Sequence, residues 1–190
     1  MKALILDGSK WGDEVLETAH NIVKETLEGM SWEVNSFVLR DIKIAPCLGC
    51  FDCWLKTPGI CVTNDAGRNT TSVAVQSDLW IFLTSVTFGG YSFELKKAVD
   101  RFLPIFIPVF TKVNGEVHHR LRYKKHPKLI GIGHSIHESR NYDDIFKKLI
   151  SRNAINFRSP SQSAEILLSN FTIEQIRERV LRSLFNVGIT

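Results

Sequence analysis

The chain has 190 residues, a formal charge of +4, 44% hydrophobic and 23% charged residues, the make-up of a soluble globular protein with enough length to bury a core without cross-links. That charge is too mild to imply nucleic acid by itself. The longest apolar stretch, Phe102 to Phe110, is interrupted by two prolines, so no segment reads as a signal h-region or membrane span, and a cytoplasmic location with reduced thiols is expected.

Strand and helix patterns alternate along the chain. Lys2 to Leu6 is a short apolar run ending at Asp7-Gly8-Ser9, as a buried strand does before a loop. Residues 13 to 28 carry Val15, Leu16, Ala19, Ile22, Val23 and Leu27 at helical spacing. Trp32 to Leu39 alternates as a second strand, and a helix over Asn64 to Val75 follows, capped by Asn64 or Asp65. Asp78 to Leu83 is a third strand, running through Thr84–Tyr91 into a helix over Ser92 to Leu103. Leu129 to Gly133 is a fourth strand, followed by a helix from about Tyr142 to Ser151. Ala164 to Leu168 is the fifth, and a helix from Thr172 to Leu184 follows it. This rhythm predicts an α/β fold, one domain over residues 1–190. Its core is a flavodoxin-like doubly wound five-stranded parallel sheet of order 2-1-3-4-5, with helices on both faces.

One segment breaks the rhythm. Residues 104–127 form an insertion in which Asn114-Gly115 separates two short alternating runs, a signal for a two-residue hairpin. A lid or a subunit contact is the use such an insertion suggests. It carries a basic stripe, His118, His119, Arg120, Arg122, Lys124, Lys125, His126 and Lys128, read first as a solvated face and second as an attraction for phosphate.

All four cysteines lie within fifteen residues, as Cys47, Cys50, Cys53 and Cys61. The spacing C-x2-C-x2-C-x7-C begins like a bacterial ferredoxin run and then departs from it, since the last gap is longer and the proline, Pro46, comes before the run. Thiols so gathered can grip a metal or cluster, form a redox disulfide, or order a loop over a cofactor.

In a doubly wound sheet, ligands bind at the carboxyl ends of the strands, beside the switch between strands 1 and 3. Three loops are expected there: Asp7–Glu14, Thr84–Tyr91 and Gly133-His134-Ser135, with the cysteine loop at the same edge. The segment Thr84-Ser85-Val86-Thr87-Phe88-Gly89-Gly90-Tyr91-Ser92-Phe93-Glu94-Leu95-Lys96-Lys97-Ala98-Val99-Asp100-Arg101 is similar to the P-V-Y-x-G-x-x-S-x-x-L-K-x-x-x-D-R motif of the NAD(P)H-dependent FMN reductases, flavodoxin-like proteins. Over roughly residues 1 to 150 the chain resembles that family, and the cysteine spacing resembles the iron–sulfur flavoproteins within it.

The resemblance implies an enzyme that passes electrons from NAD(P)H through FMN to a quinone, another small acceptor or a partner protein. Flavin N5 carries the chemistry, and no protein residue is assigned as catalytic. By the same resemblance Val86, Thr87, Phe88 and Gly89 line the flavin, with Ser85, Tyr91, Gly133 and His134 beside them, while Leu95, Lys96, Asp100 and Arg101 anchor the following helix. His137 sits just after the third loop. Ser9 and Lys10 are the expected phosphate contacts, although Asp13 and Glu14 would repel phosphate unless they point away; Arg40, Lys43 and the basic stripe are further candidates.

For the cysteines the resemblance leaves three readings: a [4Fe–4S] cluster on all four, free or disulfide-capable thiols that order the flavin loop, or zinc. A homodimer or homotetramer is implied. The rival functions are an iron–sulfur flavoprotein acting as a non-enzymatic electron carrier, and a scaffold that has lost its cofactor.

Overall fold

The computed structural model describes residues 1–113, 115–136 and 138–190. Five strands, β1 (Lys2–Gly8), β2 (Glu33–Val38), β3 (Leu79–Ser85), β6 (Lys128–Ser135) and β7 (Gln162–Leu168), form one parallel sheet in the order β2-β1-β3-β6-β7. Two more, β4 (Phe106–Val113) and β5 (Glu116–Leu121), pair with each other as a separate antiparallel sheet. The α/β flavodoxin-like architecture with a five-stranded parallel sheet therefore stands. The order 2-1-3-4-5 is corrected to 2-1-3-6-7, because the insertion supplies two strands of its own. A strand that turns straight back must pair antiparallel, so these two are left out of the parallel sheet. The residue expected to head their turn, Asn114, lies outside the described residues, as does His137.

Successive residues of a strand face opposite sides, and here both sides are covered. Ala3, Ile5, Leu79, Ile81 and Leu83 meet α1 (Glu14–Gly29) and α6 (Ile173–Asn186). Leu4, Leu6, Trp80, Phe82 and Leu129 meet α4 (Phe93–Asp100) and α5 (Arg140–Phe157), with α3 (Ala66–Gln76) on the same side. Trp80 is central to that second layer. Its ring lies 5.1 Å from Phe102 and 4.9 Å from Phe157, and its Nε1–H donates to the Ala74 carbonyl at 2.9 Å.

Two elements differ from the sequence pattern. Helix α5 begins at Arg140 and ends at Phe157, longer at both ends than the apolar periodicity marks, since its first turn is polar. The cysteine loop holds a short helix, α2 (Asp52–Leu55), whose Trp54 donates its Nε1–H to Leu103 O at 3.1 Å and stacks obliquely on His119 of the hairpin at 4.9 Å. The basic stripe is not a uniformly solvated face. His118 engages Asn156 at 2.8 Å, Arg122 donates to Pro104 O at 3.1 Å and Lys125 pairs with Asp78 at 2.7 Å. Among the described residues no helix is long and apolar enough to cross a membrane.

Candidate active site

The loops after β1, β3 and β6 meet at an open cleft of about 220 Å³ lined by Lys10, Trp11, Asp13, Ser85, Val86 and His134, among others. Each wall has a distinct local cause.

The first loop is fixed from below. Asp7, at the end of β1 and 2% exposed, accepts the Ser9 N–H at 2.9 Å, and its other oxygen is 2.6 Å from His20 Nδ1. His20 Nε2 in turn lies 2.8 Å from Ser36 Oγ on β2. Burial alone would raise the Asp7 carboxyl, but these donors, His20 foremost, hold it below the usual carboxylate range. The Ser9 hydroxyl so placed accepts from Arg40 Nη1 at 2.5 Å, and the Arg40 guanidinium lies 4.8 Å over the Trp11 ring. Arg40 Nε is buried and has no partner among the described residues.

Asp13 caps α1, accepting the Leu16 N–H at 3.1 Å. Its carboxylate does not face the Ser9–Arg40 pair: Oδ1 is 2.8 Å from His134 Nδ1, and Oδ2 accepts from the Ser85 hydroxyl at 3.0 Å. Burial opposes ionisation, yet His134, the Leu16 amide and Ser85 together keep Asp13 below the ordinary carboxylate range. Glu14 is exposed. The Asp13 carboxylate is thus engaged by a histidine and a serine from two other strands.

The β3 loop closes on itself. Thr87 and Gly90 exchange N–H to carbonyl bonds of 3.0 and 2.8 Å, and the residues between them, Phe88 and Gly89, have φ of +50° and +80°. A two-residue turn with positive φ at both positions is what glycine permits, and a Cβ on Gly89 would also lie 2.6 Å from Ile145 Cγ2. The N–H groups of Thr87 and Gly90 are consumed by the turn, while those of Phe88 and Gly89 have no partner among the described residues. Phe88 is 82% exposed.

Of the other expected site residues, Tyr91 is buried in the core, where it accepts from Asn153 Nδ2 at 2.7 Å and meets Phe82 and Phe146 edge-on. Gly133 is buried too; a Cβ there would come within 2.6 Å of Val86 Cγ2. Sequence reasoning missed Ser169, whose hydroxyl lies 2.9 Å from His134 Nε2. No local signal marks it, since it follows β7 and approaches His134 only in the folded chain.

The residues fit a flavin mononucleotide. Arg40 with its unpartnered Nε, Ser9 and Lys10 would hold the phosphate, and the Phe88 and Gly89 amides would meet the ring. They do not fit an iron–sulfur cluster as they are arranged. All four cysteines are free thiols lining one cavity, but it measures about 20 Å³, the room of about one water. Among the described residues no three His, Cys, Asp or Glu side chains are grouped as a metal ion needs. Cys53 is buried, and burial with three neighbouring thiols pushes it up to about 11, so it stays protonated at neutral pH. Arg101 lines the same cavity, 1% exposed, donating to Asp65 at 2.8 Å, Ala45 O at 2.9 Å and Thr63 O at 3.1 Å.

A doubly wound parallel sheet with the loops after β1 and β3 at one cleft is the architecture of flavodoxin-like proteins. The family model described as NADPH-dependent FMN reductase matches residues 1–122, and the chain belongs to that family of flavin-dependent oxidoreductases. No curated protein matches the sequence. Among solved structures, a Klebsiella pneumoniae protein is 14% identical with a TM-score of 0.70, covering 100% of this chain and 86% of that one. The NAD(P)H:quinone oxidoreductase of Methanothermobacter marburgensis is 11% identical with a TM-score of 0.66, covering 98% and 95%. An FMN-dependent NADH-azoreductase of Bacillus anthracis in complex with FMN is 12% identical with a TM-score of 0.54, covering 96% and 95%. At these identities the likenesses establish the fold.

Proposed function

We propose that the protein is an FMN-dependent reductase that carries two electrons from NAD(P)H to a quinone or a comparable small acceptor. The observation that carries the reading is the cluster of Ser9, Lys10 and Arg40 after β1, in which Arg40 holds Ser9 and lies over Trp11 while Lys10 and Trp11 line the open cleft. A scaffold without cofactor has no use for such a cationic cradle.

Bound there, FMN would supply two-electron redox chemistry between nicotinamide and the acceptor. The chain's part is positional. Arg40 and Lys10 neutralise the phosphate, the Thr87–Gly90 turn presents two amides and a flat glycine edge, and the open cleft leaves one side for the nicotinamide and the acceptor in turn. Trp11 and Ile136, both lining the cleft, are 78% and 71% exposed, and Phe88 is 82% exposed. Apolar side chains so exposed favour cover by a second copy of the chain, hence a homo-oligomer. The cysteines act in this reading as thiols that order the loop under the hairpin.

The test is the purified, FMN-supplemented protein. A flavin spectrum with about one FMN per chain and NAD(P)H-dependent reduction of a naphthoquinone is expected. A colourless protein that takes up no FMN overturns the reading. Stoichiometric iron with a broad brown absorbance, in protein handled without oxygen, would put the electron-carrier function in its place.

A further inference from the structure

We propose that the hollow between the β4–β5 hairpin and the end of α5 is an anion site that takes the diphosphate group of a small molecule. It shares no lining residue with the cleft after β1, β3 and β6, and it does not depend on the reductase reading. Helix α5 runs back from the carboxyl edge of the sheet, so Arg158 at its end stands at the opposite edge from the cleft. The hollow measures about 320 Å³, within the range of small-molecule pockets, and its lining includes Arg120, Tyr123, Lys124, His126 and Arg158 but no Asp or Glu.

The basic stripe divides in two. His118 engages Asn156 and Glu116, Arg122 donates to Pro104 O, Lys125 pairs with Asp78, and Lys128 donates to Gly188 O at 3.1 Å. His119 stacks on Phe110 at 4.6 Å. Arg120, Lys124 and His126 have no side-chain partner among the described residues, and all three line the hollow. The members of the stripe that the fold leaves unused are thus the ones it gathers.

Arg158 joins them from another element. It follows α5 at φ +56°, a left-handed position that suits glycine better than a long side chain. Its guanidinium donates to Ile155 O at 2.9 Å and to His119 O at 3.4 Å, which ties the hairpin to the helix. Burial pulls that guanidinium below the ordinary arginine range, and no carboxylate beside it offsets the effect. A guanidinium has five N–H donors, so capacity remains for a ligand.

Cations gathered in one hollow without a carboxylate repel one another, and a bound anion relieves the repulsion. Arginine and lysine carry fixed charge at neutral pH, so the site does not rest on His126. Three such charges, from a strand, a loop and a helix end, call for more than one anionic group, and a diphosphate supplies two on a short span. Tyr123, exposed in the same lining, offers a ring to whatever group carries the diphosphate.

The experiment is calorimetric titration of the full chain with pyrophosphate, ADP and inorganic phosphate, in excess FMN and near physiological salt. Saturable binding of about one pyrophosphate or ADP per chain is expected, with inorganic phosphate about 10-fold weaker. Arg120→Gln and Lys124→Gln should each weaken pyrophosphate about 10-fold, whereas Lys148→Gln, an equal loss of charge at an exposed residue of α5, should change nothing. A second readout needs no variant: pyrophosphate should protect Lys124, and not Lys148, from acetylation, as read by mass spectrometry. Tighter binding of ADP than of pyrophosphate supports a nucleoside diphosphate, and equal affinity supports free pyrophosphate. Absence of saturable pyrophosphate binding overturns the proposal, as does binding that survives both substitutions or falls equally in Lys148→Gln. Binding lost only in Arg40→Ala overturns it too, by placing the anion at the loop after β1. Capture of duplex DNA or anionic vesicles by a chain that takes no pyrophosphate overturns it in favour of a macromolecular partner. A chain that binds no FMN yet titrates as expected keeps this proposal and loses the reductase reading.

Discussion

Arg40 shows how much rests on single side chains at this site. Its guanidinium is anchored at Ser9 and lies over Trp11, so its remaining hydrogen-bonding capacity is aimed before any ligand arrives. A charge-assisted bond to phosphate is worth about 1.5–3 kcal/mol. Arg40→Ala should therefore weaken FMN binding by about 10- to 100-fold, read from quenching of flavin fluorescence on titration. Asp7 does comparable work beneath the loop. Its folded-state value lies below its unfolded one, so its contribution is full above the unfolded value, near pH 4, and fades as pH falls through the folded value. Urea midpoints should thus drop between about pH 4 and pH 2 in wild type, and the drop should be shallower in Asp7→Asn, which starts lower at neutral pH. Parallel acid limbs for the two proteins would contradict this account.

At the scale of elements, Arg101 ties the cysteine loop to the sheet. It leaves the end of α4 and binds residues 45, 63 and 65, the two ends of the loop and the cap of α3. Removing one partner of a buried pair leaves the other charge stranded, at a cost of about 3 kcal/mol or more. Arg101→Ala should lose about that in urea unfolding and label Cys53 with iodoacetamide faster than wild type, because the loop that buries the thiol loosens. Unchanged labelling would show that the loop is held by the Trp54 contacts with Leu103 and His119 instead.

For the whole molecule, the parallel sheet explains why the chemistry gathers at one end: every carboxyl terminus of β1, β3 and β6 opens on the same side. That end also carries two strongly exposed aromatic side chains, Trp11 and Phe88. Sedimentation velocity should show a dimer or larger species, with Phe88→Ser shifting it toward the monomer. A wild-type monomer at micromolar concentration would leave those rings for small-molecule contacts alone.

The five parallel strands and the helices between them were legible in the sequence because burial on two faces writes continuous apolar runs, and helix packing writes a 3.6-residue period. The Thr84–Tyr91 loop was placed at the site by its sequence, but the turn within it was not legible, since one of its two positive-φ positions is Phe88 and not glycine. The cysteine spacing was equally plain, but its meaning was not. Spacing sets which thiols are near one another, whereas the size of the cavity between them depends on Arg101, Leu103 and the hairpin packed above. Asp13 is the sharpest case. Along the chain it is a carboxylate where phosphate should sit. Only the fold, by bringing Ser85 from β3 and His134 from β6 against it, makes it the partner of a histidine. The sequence by itself determined the architecture, through short-range patterns. The tertiary structure decided the roles, because contacts between residues as far apart as Asp13 and Ser85, or Asp13 and His134, leave no periodic trace.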